Sequence, residues 1–169
     1  MTIHQGGCLC GALRYETTAD PLRVTICHCR FCQRATGSAY MVEPIFRHED
    51  MRATKGSATI YELRSAGSGK TVRVHFCPVC GTKLYLSFER FPGVYGVYAG
   101  TFDDPSWFAI GPDNAKQIFI GAARPDSMLL PDIHAFVEHA IDNDGAALEP
   151  AVLAGDGPPY RSPFTVRSR

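Results

Sequence analysis

The chain lacks several features that would settle its class at once. It has no net charge: 17 basic residues balance 17 acidic ones over 169 positions. A general nucleic-acid or acidic-membrane surface needs a clustered basic excess, so neither partner is expected. Its start, "MTIHQGGCLC", has no basic stretch leading into an apolar run, so no signal peptide is expected. No stretch approaches the roughly 20 apolar residues that span a bilayer. The expected compartment is the cytosol. Repeats and low-complexity blocks are also missing, and helical periodicity is scarce.

Cysteine is plentiful, and its distribution is informative. Seven cysteines are an odd number, so complete disulfide pairing is impossible, and a reducing compartment disfavours it anyway. All seven fall in three tight clusters: Cys8 and Cys10; Cys27, Cys29 and Cys32; Cys77 and Cys80. None is scattered as a small hydrophobe would be. Clustered thiols in such a compartment read as metal ligands.

The rest of the chain alternates apolar and polar residues over short segments punctuated by Gly and Pro, which is the mark of half-buried strands. "GALRYE", "LRVTIC", "ATIYELR", "KTVRVHFC", "TKLYLSF", "GVYGVYAG" and "KQIFIG" are the strand candidates. "FCQRAT" allows one or two helical turns stopped at Gly37, a left-handed C-terminal cap. "LPDIHAFVEHAID", residues 130–142, is the longest helix candidate, with Ile133, Phe136, Val137, Ala140 and Ile141 at helical spacing. The expected architecture is one mainly β domain over residues 1–145. An irregular Gly- and Pro-rich extension follows over 146–169.

"FCPVCGTKL" is a two-ligand knuckle: two residues between Cys77 and Cys80 let both sulfurs turn inward, a strong local signal for zinc. Cys8 and Cys10 have one residue between them, in a glycine-flanked turn. Two plus two closes a Cys₄ cage, which leaves no position for a substrate and is therefore structural. Cys27, Cys29 and Cys32 are then one ligand short of a tetrahedron. Three protein ligands and an open position are the arrangement of catalytic zinc. The plainer alternative is a single Cys₄ site with the other three thiols idle. An iron–sulfur cluster fits less well, because no familiar cluster spacing is present. His28, between two ligand candidates, reads as a second-layer or pocket residue, and His75 as packing beside the closed site. His4, His48, His134 and His139 read as surface residues. Arg30 and Arg34, beside the trio, offset thiolate charge or are simply solvated.

"GGCLCGALRYE", "CHCRFCQRATGSAY" and "HFCPVCGTKLY", in that order, resemble the glutathione-dependent formaldehyde-activating enzyme family, which includes centromere protein V. "YAGTFDDPSWF" resembles a further family segment, usually written with Leu where Phe102 stands. The resemblance covers roughly residues 5–140. It implies a β-tent type fold of several small coiled antiparallel sheets, with one or two short helices. It also implies two zinc ions per chain, a structural one on Cys8, Cys10, Cys77 and Cys80 and a catalytic one on Cys27, Cys29 and Cys32. The implied activity is that of a carbon–sulfur lyase or synthase joining glutathione and formaldehyde into S-hydroxymethylglutathione. Arg30, Arg34 and the backbone amides of Gly37 and Ser38 are the candidate donors to the carboxylates of such a thiol. In "KQIFIGAARPDSMLL", Gln117 stands where the family commonly has His and Met128 where it has an aromatic residue, which marks this stretch as a candidate pocket lining. Rival readings are an enzyme acting at the same site on another thiol or aldehyde, a zinc-stabilised binding module without chemistry, and a methionine sulfoxide reductase-like enzyme. The last needs a spare cysteine, which two filled sites would not leave. Exposed strand edges leave a homodimer open.

Overall fold

A computed structural model describes residues 2–125, 127–151 and 160–161. The chain is mainly β, as its alternation predicts, and divides into two compact units. One comprises residues 1–23 and 43–109, the other 24–42 and 110–169. The chain crosses between them three times: inside two strands, β3 (Arg23–Cys27) and β4 (Met41–Arg47), and after residue 109.

In the first unit, β1 (His4–Gly7), β2 (Arg14–Thr17) and β5 (Met51–Lys55) form an antiparallel sheet in the order β1-β2-β5. A longer antiparallel run follows the order β4, β9 (Val94–Val97), β8 (Lys83–Phe88), β7 (Thr71–Phe76), β6 (Thr59–Arg64). Val74 and Leu86 face each other across β7 and β8 and are both buried, which is the inward half of the alternation. The core gathers Leu13, Tyr15, Phe46, Leu84, Val97 and Phe102, and two cysteines, Cys8 and Cys77, belong to it. Phe102 is its aromatic hub, meeting Tyr15 edge-on at 5.4 Å and Trp107 at 5.3 Å. His4, expected at the surface, stacks on Trp107 at 3.8 Å. The neighbouring Asp103 takes a two-pronged ion pair from Arg14.

β4 was not legible as a strand because it does not alternate. Met41, Glu43, Pro44, Ile45 and Phe46 are all buried, so both of its faces are covered.

In the second unit, β10 (Ala115–Ile118) runs parallel to β3, a departure from an all-antiparallel expectation. The α-helix among the described residues is α1 (Arg30–Thr36), ended by Gly37 at φ 70 as its sequence predicts. The helix expected over 130–142 does not form. Its backbone groups pair instead with the end of β10 and the residues beyond: Phe136 N–H donates to the Gln117 carbonyl at 2.9 Å, and Ile120 and Gly121 donate to the carbonyls of Phe136 and Val137. Asp132 adopts a left-handed φ of 62, which interrupts any helix there. A helix this short is marginal alone, so strand-like pairing prevails. Ile133, Phe136 and Ala140 are buried nonetheless.

Residues 146–151 are irregular except for bridges at Ala147 and Ala151. Tyr160–Arg161 form β12, paired with β11 (Met128–Leu129), and the rest of the expected irregular tail lies outside the described residues. No helix is long and apolar enough to cross a membrane among the described residues.

Candidate metal centres

The first centre is built from two turns of the first unit. After β1 the chain turns through residues 8–13, closed by Cys8 N–H to the Leu13 carbonyl at 3.1 Å. The Leu13 N–H points back at the Cys8 sulfur at 3.2 Å. The second turn joins β7 to β8. Gly81 N–H donates to the Cys77 carbonyl at 2.9 Å, and Gly81 holds φ 73, which a side chain would strain. The two turns are tied by the Leu9 amide donating to the Thr82 hydroxyl at 3.2 Å. Cys8, Cys10, Cys77 and Cys80 thereby place four sulfurs within 4.8 Å of one another. The Cys8–Cys10 and Cys10–Cys77 sulfurs are 3.6 and 3.8 Å apart. A tetrahedral site with metal–sulfur bonds of about 2.3 Å sets its sulfurs roughly 3.8 Å apart, so the cage has the dimensions of such a site. The Thr82 hydroxyl, 3.1 Å from the Cys80 sulfur, helps push that thiol down to about 5. Thiolate, the ligating form, is thus favoured there.

The second centre lies in the second unit. Cys27 ends β3, Cys29 caps α1, and Cys32 sits in its first turn, so one strand-to-helix turn presents all three sulfurs within 4.8 Å. The Cys29 sulfur accepts the Cys32 amide at 3.3 Å. Hydrogen bonds from the Cys27 and Cys32 thiols push Cys29 down to about 3. Cys27 and Cys32 are correspondingly pushed up, Cys27 by Cys29 and Cys32 by Cys27 and Cys29. Gln33, buried, fixes the turn: its side-chain amide donates to the His28 carbonyl at 2.6 Å and to the Ala122 carbonyl at 2.9 Å. This clamp was not legible in the sequence beyond the identity of the residue. Among the described residues, no fourth Cys, His, Asp or Glu joins the trio. His28, lying between two of the cysteines, is fully buried and outside that ligand group.

The candidate anion donors fare unequally. Arg30 and Arg34 are exposed, with Arg30 donating to the Gln33 side-chain oxygen. The Gly37 and Ser38 amides are already engaged, in the helix cap to the Gln33 carbonyl at 2.9 Å and in a turn to the Thr36 hydroxyl at 3.1 Å. Gln117, expected in a pocket lining, braces the loop at residues 130–133. It is fully buried, and its side chain donates to the Leu130 and Ile133 carbonyls and accepts the Leu130 amide. Met128 is exposed.

A mainly β scaffold carrying a four-cysteine cage and a separate three-cysteine turn, each able to hold a metal ion, defines the class. A family model described as "Glutathione-dependent formaldehyde-activating enzyme" matches residues 3–122, well over half of the chain. The chain belongs to that family. A protein of Halomonas elongata, provisionally named a glutathione-dependent formaldehyde-activating enzyme, is 24% identical over 102 residues, 59% of this chain. The match spans 65% of that relative's length. A crystal structure of a Rhodobacter sphaeroides protein aligns over 59% of this chain and 87% of its own, with 25% identity and a TM-score of 0.47.

Proposed function

We propose that the chain is a zinc-dependent carbon–sulfur lyase or synthase acting on the adduct of a small thiol, such as glutathione, and an aldehyde, such as formaldehyde. The observation that supports this reading is the contrast between the two centres: four sulfurs gather at one and three at the other. All-sulfur donor sets of these dimensions suit zinc. Cys8, Cys10, Cys77 and Cys80 would hold a structural ion, and Cys27, Cys29 and Cys32 a catalytic one. A zinc ion in the open trio supplies Lewis acidity, which lowers the pKa of a bound thiol or polarises a carbonyl oxygen.

The chain's own part is to hold and orient. Gln33 clamps the trio's turn, and the Cys29 cap fixes the first turn of α1. Arg30 and Arg34 lie on the exposed side of that helix, where guanidinium groups can pair with substrate carboxylates. In the synthetic direction, a sulfur–carbon bond forms as the carbonyl π pair moves onto oxygen, and the thiol proton ends on that oxygen. No further reactant is needed.

The test is zinc content per chain, with turnover of glutathione and formaldehyde, on gently purified protein and on Cys29→Ser. Two ions in the parent, one in the variant, and turnover only in the parent are expected. One ion in both, with none gained from added zinc and no turnover, would leave a zinc-stabilised binding module instead.

A further inference from the structure

His28 is 0% exposed, yet neither ring nitrogen has a hydrogen-bond partner among the described residues. A buried polar group left in this way is costly, so a native site that keeps one calls for a reason. Its backbone is fully engaged. The His28 N–H donates to the Ile118 carbonyl at 3.0 Å, and its carbonyl accepts the Gln33 side chain at 2.6 Å. The ring is therefore held in place on the cysteine turn while its own polar atoms are unspent. It stands outside the group of sulfurs, so ligation does not explain it. Its aromatic neighbour, with ring centroids 5.3 Å apart, is Tyr40, which is 38% exposed. A neutral imidazole offers one N–H donor and one lone pair.

We propose that the His28 ring, uncovered when the Tyr40 side chain turns aside, is the contact for the hydroxyl of a thiol–aldehyde adduct held at the cysteine trio. This rests on the reading of the trio as a thiol–aldehyde site. The chemistry matches: a hemithioacetal hydroxyl both donates and accepts, as the neutral ring does. An S-alkyl thioether has no hydroxyl to offer. His28 would accordingly select the hydroxylated adduct over other derivatives of the same thiol.

Two measurements on the metal-loaded protein decide the matter. In the first, ring resonances of ¹⁵N-histidine-labelled parent are followed on adding glutathione mixed with formaldehyde, and separately on adding S-methylglutathione. The His28 signals move with the mixture and not with the thioether. In the second, His28→Phe keeps both metal ions and a thermal midpoint no lower than the parent's, because an apolar ring of similar size removes two orphaned polar atoms. Its kcat/KM nonetheless falls at least tenfold, and His28→Gln, which keeps a donor and an acceptor, recovers part of the loss. If the parent turns over but its His28 signals stay still, or the Phe variant matches the parent, the subsite is overturned and the reaction stands. If the parent is inactive yet the signals move with the mixture alone, the reaction is overturned and the subsite stands. An inactive parent with silent signals removes both.

Discussion

Each of the seven cysteines has a distinct weight. Cys77 is fully buried inside the hydrophobic core as well as in the four-sulfur cage. Its loss removes packing and a ligand together, and structural metal binding is folding free energy. Cys77→Ser is expected to abolish the cooperative thermal transition and the far-ultraviolet strand signal. Cys32→Ser, in the other unit, is expected to keep that transition, lose one metal ion and lose all turnover. Asp103 gives a milder, pH-dependent effect. The Arg14 guanidinium holds its carboxyl below the usual value of 3.8. A depressed folded-state pKa contributes stability that is fully present above about 3.8 and lost as pH falls through the lower folded value. The pair is partly exposed, so Asp103→Asn is expected to cost at most about 1 kcal/mol at pH 7. The difference from the parent, read by urea denaturation at successive pH values, should shrink towards zero on acidification through that range.

The elements owe their ends to a few residues. Gly37 stops α1 in a left-handed conformation, and a side chain there meets no neighbour, so strain of the backbone is the whole cost. Gly37→Ala is expected to lower stability by about 1 kcal/mol in denaturant titration, with both metal ions retained. Gln117 is the counterpart in the second unit. Its buried side chain satisfies both the amide and the carbonyl of Leu130, so Gln117→Leu leaves them unpaired. A loss of roughly 1–3 kcal/mol is expected, together with faster hydrogen exchange around residues 128–136. The strands β2 and β8 were legible because buried residues alternate with partly exposed ones along them. β4 was hidden because it is buried on both faces, and β10's parallel partner lies far away in sequence. The failed helix at 130–142 shows the limit of periodicity. Its spacing is helical, but extended pairing beyond Gln117 takes up the backbone groups that a helix would have used.

At the scale of the molecule, each metal centre belongs to its own compact unit. The cage ties two turns 67 residues apart, as the Cys10–Cys77 contact shows. The trio occupies one local turn. A chelator is therefore expected to remove the trio's ion first, with turnover lost while the thermal transition persists. Removal of the second ion should then release hydrogen-exchange protection around residues 8–13 and 77–84. Metal analysis alongside exchange mass spectrometry reads both steps; a reversed order would contradict the assignment of the closed centre as structural.

The sequence alone determined the grouping of the thiols and the strands that carry them. Ligand spacing is local, and alternation records which face each strand buries. The close of α1 at Gly37 was equally local, because a left-handed cap needs glycine at one position. Only the tertiary structure decided where the polar groups near the trio spend their hydrogen bonds. The Gly37 and Ser38 amides, read as ligand donors, are used within their own turn. Gln117, read as pocket lining, braces a loop, and Gln33 clamps the cysteine turn through a carbonyl 89 residues away. His28 is left buried, its ring nitrogens without a partner among the described residues. Such outcomes depend on which distant backbone groups come within about 3 Å, a fact that no residue's local spacing contains.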